Sequence, residues 1–156
     1  MKRKLFSSFA AALIITGIFL SANAQSQNEN DVFERINRER LKMRLSSLAW
    51  DDGLAKVARD YSRKMAREGF FDHYDRQGRT VTDRAEAARI MNWKGIGENL
   101  FFCDEHPYFT ETAVRGWMKS PTHRSNILER SWTATGIGIA TARDGSIYIT
   151  QVFTEP

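Results

Sequence analysis

The stretch Gly-Ile-Gly-Ile-Ala-Thr-Ala-Arg-Asp-Gly-Ser-Ile-Tyr-Ile-Thr-Gln-Val-Phe, residues 136–153, decides the fold class. On both sides of residues 143–146, apolar residues alternate with small or polar ones, which is typical of β-strands. The tetrapeptide Arg143-Asp144-Gly145-Ser146 has the composition of a tight turn. We therefore predict an antiparallel hairpin here.

The sequence before this hairpin has helical periodicity. A clear stripe predicts one helix that is capped by Asp51 or Asp52 and ends at Gly69. Its core-facing residues are Leu54, Val57, Ala58, Tyr61 and Met65. A shorter stripe predicts an earlier helix capped by Asn30 or Asp31. Its core-facing residues are Val32, Phe33, Ile36 and Leu41. We interpret residues 25–31 as a flexible lead and residues 45–50 as a connector.

Between these helices and the hairpin, the pattern predicts four more pieces. They are a helix over residues 80–91, an extended run over 98–102, a helix from Thr110 through Trp117, and a short helical turn over 122–128. Helices come first and a hairpin comes later, which predicts an α+β domain with helices packed on a small antiparallel sheet. Roughly 130 residues suit one domain, here residues 32–156.

The N-terminal residues have the composition of a secretory signal. A basic start, Lys2 to Lys4, precedes an almost wholly apolar run over residues 5–20, and Ala22-Asn23-Ala24 offers small residues for cleavage. The alternative is an uncleaved anchor, but the run is short for a bilayer of ~30 Å. We predict a signal peptide over residues 1–24 and a secreted or periplasmic protein without a stable membrane anchor.

Charge and cysteine content exclude some classes of protein. The chain has 23 basic and 19 acidic residues, and three of the basic ones lie in the predicted signal peptide. Without the predicted signal peptide the chain is nearly neutral, with 20 basic residues (23 minus 3) against 19 acidic ones. This excludes the concentrated positive face of a nucleic-acid-binding protein. The single cysteine, Cys103, cannot form an internal disulfide, so we expect it to be a small buried apolar residue.

Three segments carry candidate chemistry. They are Phe71-Asp72-His73, Gly97-Glu98-Asn99-Leu100, and residues 117–128 followed by Gly136-Ile-Gly138. Each is weak alone, but their order and spacing over about residues 33–153 resemble the CAP superfamily of cysteine-rich secretory, antigen and pathogenesis-related proteins. The resemblance is to bacterial, single-domain members with an SCP-like domain. It implies an α-β-α sandwich.

The resemblance also implies a site. Relatives have a cleft lined by two histidines and two acidic residues, and here His73, Glu98 and His123 occupy three of these positions. Ser120 stands where the second acid is expected, so the set is incomplete. Two imidazoles can hold Zn²⁺ or a similar divalent ion. Glu98 would be a third ligand, a residue that orients an imidazole, or a general base. The alternative is a polar network that ties three loops to the sheet.

Two function classes follow from these residues. The first is an extracellular binding module for a lipid, sterol or protein ligand, as the resemblance implies, with an apolar groove beside the cleft. That groove would draw on Phe101, Phe102, Tyr108 and Phe109. The second is a metal-dependent hydrolase or peptidase with His73, Glu98 and His123 as catalytic candidates. The missing second acid and the lack of a nucleophile favour the binding module, with no cofactor beyond Zn²⁺ or another divalent metal.

Overall fold

The computed structural model of the chain describes residues 25–104 and 107–155. The predicted signal peptide, residues 1–24, lies outside the described residues. The described part contains five helices and four strands. In chain order they are α1 (Gln27–Lys42), β1 (Ala49–Trp50), α2 (Asp52–Glu68), α3 (Val81–Ala87), β2 (Gly95–Cys103), α4 (Phe109–Lys119), α5 (Pro121–Leu128), β3 (Ala134–Thr141) and β4 (Ile147–Glu155).

The four strands form one sheet in the order β1-β3-β4-β2. β4 pairs antiparallel with both β2 and β3, which confirms the predicted hairpin. The two-residue strand β1 pairs in parallel with β3, so the sheet is mixed rather than purely antiparallel. A strand of two residues has no periodicity, and for that reason the sequence predicted only a connector there.

Helices cover both faces of the sheet, which confirms the α-β-α sandwich. On one face, α2 packs its residues Leu54, Val57 and Ala58 against Val152 of β4. On the other face, α1, α4 and α5 enclose the larger core. Its fully or nearly buried members are Val32, Ile36, Leu48, Ala113, Val114, Trp117, Ile127, Ile137, Ile147, Ile149 and Phe153.

Helix α2 confirms its prediction at both ends and along its buried face. Asp51 caps it, since its carboxylate accepts a hydrogen bond from the Leu54 N–H, and Gly69 ends it with a φ of 65°. The helix lies directly on two glycines of β3. A Cβ at Gly136 or Gly138 would come within 2.0 Å of a backbone nitrogen of α2. Only glycine permits this close approach of helix and strand.

Helix α1 differs from its prediction at its start. It begins at Gln27 with Ser26 as the cap, so the predicted flexible lead over residues 25–31 is wrong from residue 27 onward, as are the predicted caps Asn30 and Asp31. Ser26 and Glu29 form a reciprocal capping box. Apolar periodicity could not show this turn, because its buried residue is the carboxylate of Glu29, paired with Arg59 at 2.7 Å.

Two further predictions about the helices are wrong. Leu41, predicted to face the core, is 57% exposed. The neighbouring Arg40 is buried instead, and its guanidinium donates to the carbonyls of Ser46, Ile127 and Glu129 at 2.8–2.9 Å. Helix α3 is shorter than the predicted residues 80–91.

Among residues 25–104 and 107–155, no helix is long and apolar enough to cross a membrane.

Candidate functional site

The loop over residues 70–80, between α2 and α3, carries His73 and is anchored at two points. The Tyr61 hydroxyl of α2 donates to the Asp72 carbonyl at 2.6 Å. The buried carboxylate of Asp75 accepts from Lys64 at 2.9 Å and from Arg79 at 2.8 Å. It also accepts from two backbone N–H groups of the loop. These contacts fix an otherwise irregular segment against α2.

The charge of Asp75 is strongly stabilised. Burial raises the pKa of its carboxyl, but hydrogen bonds from Lys64 and Arg79 and from the backbone outweigh burial. They hold the pKa well below its usual value. Its side chain is completely shielded from solvent. No sequence pattern pointed to this anchor, because Asp75 lies among several other polar loop residues.

Glu98 lies on β2 and meets His73 directly. Its Oε1 is 2.8 Å from Nδ1 of His73, and its Oε2 is 2.6 Å from Nη2 of Arg84. The Glu98 side chain is only 3% exposed, whereas that of His73 is 53% exposed. The carboxylate therefore lies beneath the imidazole with both oxygens engaged. This geometry favours the role of orienting His73 over that of metal ligand or general base.

Arg84 of α3 is a site residue that sequence reasoning missed. Its guanidinium lies 3.4 Å from the ring centroid of Tyr61, and its Nη1 donates to the carbonyl oxygens of His73 and Arg79 at 3.2 and 3.0 Å. One side chain thus joins the His73 loop to Glu98 of β2. The only available signal was a charged face on an alanine-rich helix, which is more often a solvated surface.

His123 lies on α5, which hydrogen bonds tie to β2. Its Nδ1 lies 2.9 Å from the Ser120 hydroxyl. Asn99 donates from Nδ2 to the His123 carbonyl at 3.2 Å. Asn126 donates to the Glu98 carbonyl at 3.1 Å and to Oδ1 of Asn99 at 3.0 Å. The predicted polar network that ties the loops to the sheet is therefore present.

The two histidines have opposite electrostatic environments. The hydrogen bond with Glu98 raises the pKa of His73 despite partial burial. Burial and repulsion from a charged His73 lower the pKa of His123. The charge of His73 thus acts on His123, although the two residues are 50 positions apart in the chain. The structure thus brings His73 and Glu98 into contact, and hydrogen bonds tie the helix that carries His123 to Glu98 and Asn99 of β2.

The four aromatic residues predicted to line an apolar groove do not share one surface. Phe101 and Phe102 are neighbours on β2, so their side chains point to opposite faces of the sheet. Phe101 packs edge-on against Trp117, at a centroid distance of 6.4 Å. Phe102 is 41% exposed and contacts Phe71, at a centroid distance of 5.8 Å. Because Phe71 lies two residues before His73, these two rings form an exposed apolar surface next to the site's loop.

Comparison with known proteins identifies the family. The model of the CAP family, "Cysteine-rich secretory protein family", matches residues 33–153. The chain belongs to the CAP family. It is 35% identical over 126 residues to the uncharacterized protein YkwD of Bacillus subtilis, covering 81% of this chain and 47% of YkwD. The chain spans less than half of that relative's length, so the comparison concerns the CAP domain alone.

Solved structures share the CAP fold. An outer surface protein of Borrelia burgdorferi matches with a TM-score of 0.76 and 21% identity, over 85% of this chain and 95% of that one. An extracellular protein of Bacillus anthracis that contains an SCP domain matches with a TM-score of 0.69 and 29% identity, over 83% of this chain and 40% of that one. The helices and mixed sheet described above are therefore the family architecture.

The site of this CAP domain offers two imidazoles, those of His73 and His123, as candidate ligands for a divalent cation. Residues 25–104 and 107–155 contain no cluster of three or more His, Cys, Asp or Glu side chains that could hold a metal ion. His73 and His123 each have Nδ1 in contact with a protein oxygen, so Nε2 is the atom that each would offer to a ligand. Such a site relies on water or a bound molecule for its remaining ligands.

Proposed function

We propose that this CAP domain is an extracellular binding module whose cleft holds a ligand, or a divalent cation such as Zn²⁺, between His73 and His123. The observation that carries the proposal is the engagement of both Glu98 oxygens, by His73 and by Arg84. A carboxylate held in this way orients an imidazole. It is poorly placed to accept a proton from a substrate or a water molecule.

The surroundings of the cleft support contact with a larger ligand. His73 is half exposed at the rim, and the rings of Phe71 and Phe102 present apolar area beside it. Exposed aromatic rings next to polar groups are common in binding surfaces, because they bury much apolar area while polar neighbours give orientation. A lipid, sterol or protein ligand remains our proposal for the class of partner.

The hydrolase alternative finds less support in the geometry. Ser120 contacts His123 at Nδ1, but within residues 25–104 and 107–155 no carboxylate bonds Nε2 of His123 to orient the imidazole as a base for this hydroxyl. A peptidase would also need a base near the reacting water, and Glu98 is already engaged. Peptide hydrolysis that disappears in both His73→Ala and His123→Ala, with folding intact, would overturn the binding proposal.

Cation binding is tested by thermal unfolding of the protein at pH 7.5 with and without zinc. Zinc at about 100 times its dissociation constant should stabilise the fold by about 2.7 kcal/mol, which raises the melting temperature by several degrees. The double variant His73→Ala/His123→Ala should lose this shift. A matched control is Asp104→Ala, an exposed acidic residue outside the cleft contacts described above. No zinc-dependent shift in the unmodified protein would refute the cation part of the proposal.

A further inference from the structure

The two imidazoles of the site differ in the group that contacts Nδ1. For His73 this group is the carboxylate of Glu98, and the permanently charged Arg84 donates to the other carboxylate oxygen. An ionised carboxylate can only accept hydrogen bonds, so Nδ1 of His73 must carry the hydrogen. In the neutral ring, Nε2 then carries the lone pair. His73 is therefore fixed in the tautomer that can bind a cation or accept a proton.

For His123 the corresponding group is the hydroxyl of Ser120, at 2.9 Å. A hydroxyl both donates and accepts, and its hydrogen rotates to suit its neighbour. The contact is therefore equally compatible with a hydrogen on Nδ1 or on Nε2. Unlike Glu98, Ser120 imposes no tautomer on its histidine.

The hydroxyl of Ser120 contacts the imidazole of His123 and does not cap helix α5. Ser120 is the N-cap of α5, where a serine side chain commonly accepts from a backbone N–H and contributes about 1 kcal/mol. Here it makes no capping hydrogen bond, and the hydroxyl contacts the imidazole three residues later. Ser120 therefore lacks the stabilisation that a serine N-cap usually gives a helix, and it makes the contact with His123 instead.

We propose that Ser120 is a positioning residue that leaves His123 able to present either a lone pair or an N–H at Nε2. The cleft then has one fixed acceptor, His73, and one imidazole that serves as cation ligand or as hydrogen-bond donor. The inference rests on the proposed function, because it concerns which ligands the same cleft takes. It predicts that cation binding is weakened by about twofold, because binding must first select one of two similarly populated tautomers of His123. It also lets an organic ligand with an acceptor oxygen occupy the metal-free cleft.

The test compares Ser120→Asp with Ser120→Asn. The two side chains have nearly the same shape, and both suit an N-cap. Aspartate can only accept, so it should fix the hydrogen on Nδ1 of His123. Asparagine can donate or accept, as serine does. We expect zinc affinity, measured by calorimetric titration, to rise about twofold or more in Ser120→Asp and to stay near that of the unmodified protein in Ser120→Asn.

The tautomers are read directly from the ¹⁵N chemical shifts of the imidazoles in the metal-free protein. This measurement also separates an effect on the tautomer from direct coordination by the new carboxylate. We expect His73 to carry its hydrogen on Nδ1, and His123 to carry it on Nε2 in a substantial fraction of molecules. In Ser120→Asp the hydrogen of His123 should move to Nδ1.

Failure of the inference and failure of the proposed cation site give different results. If the unmodified protein already holds the His123 hydrogen entirely on Nδ1, the role of Ser120 is refuted, whether or not zinc binds and whether or not the variants fold. Equal gains in zinc affinity for Ser120→Asp and Ser120→Asn would refute it as well. If the tautomers behave as expected and zinc binds to none of the three proteins, the Ser120 inference stands and the cation proposal fails.

Discussion

Replacing Gly138 by alanine tests the close seating of α2 on β3. The new Cβ would lie 2.0 Å from the Arg59 backbone nitrogen, so strand and helix must separate by about 1.4 Å to reach ordinary contact. A Cβ has no rotamer through which to escape. Separation would also strain the hydrogen bond from Ser62 to the Gly138 carbonyl and loosen the packing of Leu54 and Val57. Overpacking costs about 1–3 kcal/mol and a lost buried hydrogen bond adds about 1 kcal/mol.

The expected loss is therefore about 3 kcal/mol or more, measured as the free energy of unfolding in urea. Gly116→Ala is the matched control, because Gly116 lies exposed in α4 and its new Cβ would be 3.9 Å from the nearest atom, on Phe101. Alanine there should stabilise the protein by up to about 1 kcal/mol through its higher helix propensity. A loss below about 1 kcal/mol for Gly138→Ala would refute the claim that the glycines are required for this helix–strand approach.

Substitutions at two further residues, Asp75 and Arg84, test the contacts that hold the site together. Asp75→Asn should lower stability by about 2 kcal/mol at pH 7, because it removes charge-assisted hydrogen bonds. Since the pKa of Asp75 is lowered by folding, its contribution is complete above about pH 4 and is lost as the pH falls towards the folded-state pKa. The difference in the free energy of unfolding between the unmodified protein and Asp75→Asn, measured in urea, should therefore shrink below pH 4. A difference that stays constant with pH would contradict this reasoning. Arg84→Met should cost about 3 kcal/mol by depriving buried Glu98 of its cation, with a smaller loss for Arg84→Lys in thermal unfolding. Equal losses in the two Arg84 variants would contradict the expectation that a positive charge alone retains part of the stabilisation.

The sequence predicted those parts of the fold that depend on apolar periodicity and on residues with special backbone geometry. The stripe of α2 is buried from Leu54 to Met65, and Gly69 ends the helix as expected. The hairpin also forms where it was predicted, because β3 and β4 pair antiparallel, and β4 is buried on both faces from Ile147 to Phe153. Such features are local, so a single sequence can carry them.

The remaining features depend on polar contacts between distant segments. Glu29 and Arg59 bury an ion pair across 30 residues, and Arg84 reaches Glu98 from a separate helix. No spacing rule connects such residues, because each pair is brought together only by the tertiary fold. The contact of His73 with Glu98 was expected from the family resemblance alone, and the role of Ser120 required the geometry of α5.

The strand order has a consequence for how the chain acquires its structure. β4, the last strand in sequence, lies in the interior of the sheet and pairs with β2 and β3 at once. Gly95–Cys103 therefore has no strand partner, among the residues that the structure describes, until Ile147–Glu155 has been synthesised. Because Glu98 lies on β2, its contact with His73 forms in the complete sheet only after β4 has been synthesised. Completing the sheet joins segments that are far apart in sequence, which makes folding slower than that of a helical bundle of the same size.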